Sequence, residues 1–448
     1  MSHDPIPHPK RFWSRPWFIV LSVLVLIVVL FVFYRLNQKS ALDKKLDEIR
    51  AAGYPATYEE LNEWHSIPED ANNAADTILE AIASFQQWPQ QDMEDLPFIG
   101  TGKPPSRTET MTEPLKEIIA DYIADNANAL ELLHKASQIK HCRFPVDYTA
   151  GLNTKMNHLS DLRKSVRLLA LEAFVHAQNN HTDAAIDSLD AALRLSRCLD
   201  KEPLLISHLV RIACQADMLE ALEYAINQIE FSEQQLNGLS HAIENAKNPD
   251  AMLYGFAGEI VGRMDFFTKP TNQKLKLLGH PPSPLIYLYT AIGMTSQDAF
   301  IYLDIMVKYR EAYKLPPNER LKVTKAVADE AGEIPKIHFL ARLMTPAFGR
   351  IAIIDCRSLA RIDAACVALA VERYRMVNGN LPDSLDDLVP KFLESVPIDL
   401  FDGKPLKYKK LDPGFVVYSV GEDEQDNGGE ERERGTTKPW DIPFIIER

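Results

Sequence analysis

Apolar residues run without a charge over residues 17–34, WFIVLSVLVLIVVLFVFY, with Ser22 the one strongly polar interruption. As a helix this stretch reaches about 27 Å, enough to cross a thin hydrocarbon core. Trp13, Trp17 and Tyr34 stand at its two ends, where amphipathic rings favour the headgroup layer. The run is longer than the apolar part of a cleaved leader and no A-x-A site follows it, so it reads as a retained anchor. Arg35, Lys39, Lys44 and Lys45 come directly after.

Beyond the anchor the pattern becomes amphipathic. Residues 40–52 predict a short charged helix, and Gly53 and Pro55 then turn the chain towards an N-cap at Thr57. Ala75, Ile78, Leu79, Ile82 and Phe85 are spaced as one face of a helix over 72–85. Pro89, Pro97, Gly100, Gly102, Pro104 and Pro105 predict an exposed loop over 88–110. From 112 to 344 apolar residues recur with helical period, clearest over 168–173, 183–199 and 204–229. The polar turn Asn179-Asn180-His181 predicts that its flanking helices fold back antiparallel. Prolines break the pattern over 269–284 and again at Pro316-Pro317. Tyr287, Tyr289, Tyr302, Tyr309 and Tyr313 form an aromatic stripe between these breaks, read as core rather than as a groove.

The character changes near 345. One more amphipathic helix, over 355–377, carries Leu359, Ile362, Cys366 and Leu369 on a face. The β-branched and aromatic residues 415–420 predict a strand, and 442–446 predict a second. The fold class expected is therefore mainly α: a transmembrane helix at 17–34 after a tail at 1–16, juxtamembrane helices and a Pro-rich loop over 35–111, an α-helical hairpin body over 112–345, and a small α+β module over 346–448.

Composition narrows the function. Forty-nine Lys and Arg against sixty-three Asp and Glu give a net charge of −14, which argues against a broad nucleic-acid surface. Five scattered cysteines, with no C-x-x-C, supply neither a disulfide scaffold nor a zinc site. No phosphate-binding loop, zincin or nucleophile-elbow motif occurs, so no catalytic residue is assigned. His176 and His181 are five apart, poor spacing for two metal ligands on one helix face. Glu202, Ser207, His208 and Arg211 make a polar group, but the neighbours Ser207 and His208 point to different faces.

Two resemblances follow from particular residues. Ala173, Ala185 and Ala192 resemble the small-residue spacing of one tetratricopeptide repeat, with no second copy in register. The C-terminal module resembles the globular head of the major pseudopilins of type II secretion. The resemblance is carried by Tyr374, Gly379 and Pro382 at the end of the long helix; by Asp402-Gly403-Lys404-Pro405-Leu406-Lys407-Tyr408; by Tyr418-Ser419-Val420-Gly421-Glu422-Asp423; and by Gly428-Gly429 and Asp441-Ile442. It covers 354–444. It implies calcium in the acidic loop, through Asp423, Asp441 and Ser419, with Asp426 added from its charge and position; carboxylate and carbonyl oxygens are the ligands calcium takes. The chain departs from that family at Glu424, which replaces a Gly, in a longer charged insertion over 430–440, and in lacking a prepilin-type start.

Together these readings give a non-catalytic, membrane-anchored interaction or scaffold protein with a pseudopilin-like head, linked to secretion or envelope assembly. The partners expected are the membrane, through 17–34, and a protein bound by the helical domain. The alternative is an exported, membrane-anchored hydrolase with a dispersed active site. Lys10, Arg11 and Arg15 precede the span, whereas Arg35, Lys39, Lys44, Lys45 and Arg50 follow it, which favours a cytosolic body. Long domains are exported largely regardless of charge, and the implied calcium suits the outside, so the body is expected to be extracytoplasmic.

Overall fold

The computed structural model describes residues 16–86, 88–102, 104–248, 250–279, 281, 284–345, 348–431 and 440–448. Trp13, Lys10, Arg11 and Arg15, and most of the insertion expected over 430–440, lie outside the described residues. The chain is mainly α-helical, with a long apolar helix at the N-terminus and a small three-stranded antiparallel sheet at the C-terminus.

Helix α1 runs unbroken over Pro16–Ala51. The short helix expected over 40–52 is its continuation, because Arg35 to Lys45 supply strong helix formers and no breaker. The two halves of α1 differ completely. Residues of the apolar run are exposed from Ile19 to Phe33, while Leu42, Leu46 and Ile49, one turn apart, reach into a core. Helix α2 (Tyr58–Trp64) starts at the predicted cap, with the Thr57 hydroxyl accepting from the Glu60 amide. Helix α3 (Ala74–Ala83) buries Ala74, Ala75, Ile78 and Ala81. The segment 88–110 is not simply an exposed loop. It contains the short helix α4 (Gln90–Met93), buries Leu96 and Phe98, and ties Arg107 to Glu223 on a distant helix.

Helices α5 (Glu113–Asp125), α6 (Ala127–Ser137), α7 (Asn157–Gln178), α8 (Thr182–Ser196), α9 (Leu205–Gln228) and α10 (Glu233–Glu244) build the larger core with α3. α7 and α8 form the antiparallel pair expected, with Asn180 at φ 58 in the turn between them and Ala173, Ala185 and Ala192 fully buried. The second core is made by α11 (Ala251–Thr268), α14 (Met294–Tyr313), α15 (Pro317–Gly332), α16 (Phe339–Met344) and the polar half of α1. Tyr302, Tyr309 and Tyr313 of the aromatic stripe lie inside it. The short helices α12 (Thr271–Leu277) and α13 (Pro284–Ala291) edge this second core.

Helix α17 (Phe348–Asn378) joins the two. Phe348 and Ala352 belong to the second core, and residues from Ile362 to Val371 to the first. The sheet follows, in the order β1 (Lys407–Lys410), β2 (Phe415–Ser419), β3 (Ile442–Ile446). The sequence pattern does not predict β1, since Lys-Tyr-Lys-Lys lacks an apolar alternation. Phe415, Val417, Phe444 and Ile446 face α17 within the large core, while Val416, Tyr418 and Ile445 form the outer face. Period-two alternation thus fixes which side of the sheet meets the helices.

Candidate functional site

A cleft of about 850 Å³ opens where α9, α17, residues 104–107 and β3 meet. Ile212, Ala216 and Leu219 of α9 and Ile354 of α17 supply apolar lining. Arg107, Arg357, Arg361, Glu223 and Glu431 supply charge. No motif in the sequence points to this cleft, because its charged residues lie in four segments far apart along the chain.

Glu223 is the centre of its electrostatics. Burial pushes its carboxyl above the usual range, and Arg107 and Arg361 pull it back. The Arg107 Nε donates to Glu223 Oε1 at 2.8 Å, and the Arg361 Nη2 stands 3.8 Å from Oε2. Burial also disfavours the Arg107 guanidinium, but Glu223, Glu431 and Glu447 outweigh that and keep it firmly protonated. Arg357 pairs with Glu422 at 2.7 Å. These guanidinium–carboxylate pairs hold the walls of the cleft in place.

The same carboxylate closes the free edge of the sheet. The Ile445 amide donates to Glu223 Oε1 at 3.2 Å. One turn on, the Asn227 Nδ2 donates to the Ile445 carbonyl at 2.9 Å, and the Glu447 amide donates to Asn227 Oδ1 at 2.7 Å. Two side chains of α9 therefore act as the missing neighbour of β3, an edge that would otherwise expose unpaired amides. Sheet and helical body are locked together at this seam.

The residues expected to hold calcium lie beside the cleft and are brought near one another only in part. Ser419 is fully buried, and its hydroxyl donates to Asp399 Oδ1 at 2.9 Å. Asp441 is buried and accepts from the Asn427 and Gly429 amides, the latter at 2.7 Å. Burial pushes its carboxyl up, against the pull of those two donors. Asp426 accepts from the Tyr418 hydroxyl at 2.8 Å, which holds its carboxyl below the usual range. Asp423 accepts from the Gln425 amide at 3.2 Å. Among the described residues no group of three or more His, Cys, Asp or Glu converges as metal ligands do. Ser419, Asp423, Asp426 and Asp441 each hold at least one hydrogen bond to a protein group in this structure. Their work in this structure is to fold the acidic loop back over the outer face of the sheet. Gly429, at φ +78, makes that approach: a Cβ there would stand 3.0 Å from Val416 and Tyr418 side-chain atoms.

A second polar group sits inside the body. The His158 Nε2 and the Ser207 hydroxyl both lie 2.8 Å from Glu202 Oε1. Ser207 and His158 share one acceptor and do not meet as nucleophile and base. Glu202, Ser207 and His208 are at most 1% exposed, so a substrate has no contact with them. Arg211 donates to Asp200 at 3.3 Å and to the Ala246 carbonyl, a buried strut between α9 and the end of α10. The rings of His176 and His181 stand 5.9 Å apart on either side of the α7–α8 turn.

Comparisons with protein-family models, with curated proteins and with solved structures find no match to this chain.

Proposed function

We propose that this chain is a membrane-anchored, non-catalytic interaction protein, held by α1 in a bilayer with its body on the extracytoplasmic side. In this reading the cleft between α9, α17 and β3 receives an extended segment of a protein partner. The observation that carries the anchor is the division of α1 into a fully exposed apolar half and a polar half packed into a core. Such a helix is stable in water only over its docked half; lipid is the natural solvent of the other. An apolar floor flanked by paired charges supports the binding role, since it offers contact area together with fixed polar groups for orientation. The pseudopilin resemblance of 354–444 supports export and a place in secretion or envelope assembly.

A photo-crosslinking amino acid at Ser358, in the cleft, tests the binding role in membranes containing the full chain. A discrete crosslinked protein from Ser358, absent when the probe stands at exposed Glu394, is the expected result. The same pattern from both positions contradicts the proposal.

A further inference from the structure

Helix α13, with the sequence PLIYLYTA, has no charge and buries none of its side chains. Leu285 is 76% exposed and Leu288 57%, and Tyr287 and Ile292 are exposed beside them. A helix this short has too few residues to be stable by propensity, and of its side chains Tyr289 packs against the second core while Leu285, Tyr287 and Leu288 are left on an open face. Something apolar must cover it.

Its position says what. The Arg35 Nη1, at the point where the apolar run of α1 ends, donates to the Thr290 carbonyl of α13 at 2.9 Å. The chain then reverses at Gly293, φ +93, where a Cβ would stand 2.9 Å from that same Arg35 nitrogen. Helix α14 leaves this turn alongside α1 and in the same direction, with the Gln297 amide bonded to the Tyr34 hydroxyl and Asp304 paired to Lys45. Gly293 and α13 therefore occupy the end of the body nearest the apolar segment. The Tyr289 hydroxyl, 2.6 Å from Asp298 Oδ2 and 2.8 Å from the Ile337 carbonyl, brings the segment before α16 to the same end, and Ile337 is 63% exposed.

Charge agrees. In a chain of net charge −14, no Asp or Glu occurs from Pro270 to Gln297 or from Ile334 to Met344. Lys276, Lys336 and Arg342 are exposed there. Basic side chains around exposed Leu, Ile and Tyr match the anionic headgroup layer of a bilayer.

We infer that α13, with Ile337, dips into the surface of the same membrane that α1 crosses, so that the body rests on the bilayer at two places. This rests on the reading of α1 as a membrane span. Thr290, at the C-terminal end of α13, is bonded to Arg35, the residue after Tyr34, so that end of the helix stands where the apolar run leaves the headgroups. Docked in this way, the body has a fixed orientation on the bilayer.

Site-directed spin labelling tests the inference on the full chain in vesicles of zwitterionic and anionic phospholipid, with Cys142 and Cys198 changed to Ser. Labels at Leu288→Cys, Leu26→Cys and Val377→Cys are compared for collision with oxygen, which concentrates in lipid, and with a polar nickel complex, which stays in water. Leu26 lies in the exposed apolar run of α1, and Val377, exposed at the far end of α17, serves as the aqueous reference. The inference predicts that Leu288 and Leu26 both favour oxygen while Val377 favours nickel. A lipid-like Leu26 with Leu288 matching Val377 overturns the inference and leaves the anchor standing. An aqueous Leu26 overturns the anchor itself, and the inference with it.

Discussion

Asn227 and Glu223 each do two jobs at once, and the cost of removing them shows how the sheet is held. Asn227 donates to one backbone group of the β3 edge and accepts from another. Asn227→Ala leaves both unpaired in a buried setting and is expected to cost about 2 kcal/mol. The measurement is the urea midpoint, together with faster amide exchange at Glu447. Two buried histidines contribute to the pH response. Burial pulls the ring of His65 down to about 4 and that of His208 to about 3, from an ordinary value of 6.5. The unfolded chain then binds more protons than the folded one over this range, so their contribution is fully present above about pH 6.5 and is lost as pH falls towards 4 and 3. Each unit of that fall costs up to about 1.4 kcal/mol per histidine. Replacement His208→Leu is expected to flatten the loss of stability on acidification between about pH 6 and 4, and an unchanged slope contradicts it. None of these partners is legible in the sequence. Asn227 lies 218 residues from Ile445, and no local pattern announces a pairing at that distance.

At the scale of the element, α1 is two helices in one. Its apolar half is plain from the run of 18 uncharged residues. Its continuity is not, because the basic cluster after Tyr34 reads as a boundary until Leu42, Leu46 and Ile49 are seen to share a face. Ile49 is 1% exposed. Ile49→Ala is expected to cost about 3 kcal/mol by opening a cavity in the second core. In detergent-solubilised protein, Val28→Ala in the exposed half leaves the unfolding midpoint of the body unchanged. Equal effects from the two variants contradict the division. The strands show the same contrast between local and distant signals. β2 and β3 are legible from their β-branched and aromatic residues, whereas β1 is set by pairing with β2 and not by its own lysines. The segment 88–110 reads from its sequence as simply exposed for a related reason: prolines and glycines mark where a chain turns, not what Leu96, Phe98 and Arg107 meet after the turn.

At the scale of the molecule, the proposed function puts the apolar half of α1 in a bilayer and leaves the docked half with the body. The compartment that holds the body has a chemical reporter. The neighbouring Cys198 thiol, together with burial, holds the Cys142 thiol well above its ordinary value. On the cytosolic side both remain thiols; with the body outside the cytosol, as proposed, oxidation of this neighbouring pair to a disulfide is the expected outcome. Protein denatured without reductant is therefore expected to show two fewer free thiols than the five the sequence holds. All five free, in protein taken from its native compartment, argues for a cytosolic body.

In the proposed function α1 stays on the chain and holds the folded body at a membrane. The most direct test of this is fractionation of cells making the chain with a C-terminal tag, followed by an alkaline carbonate wash and an intact mass. A retained anchor gives a carbonate-resistant membrane fraction whose mass includes the apolar run over 17–34. A soluble, folded product shortened to a start beyond Tyr34 contradicts it, and makes the same apolar segment a removed signal sequence.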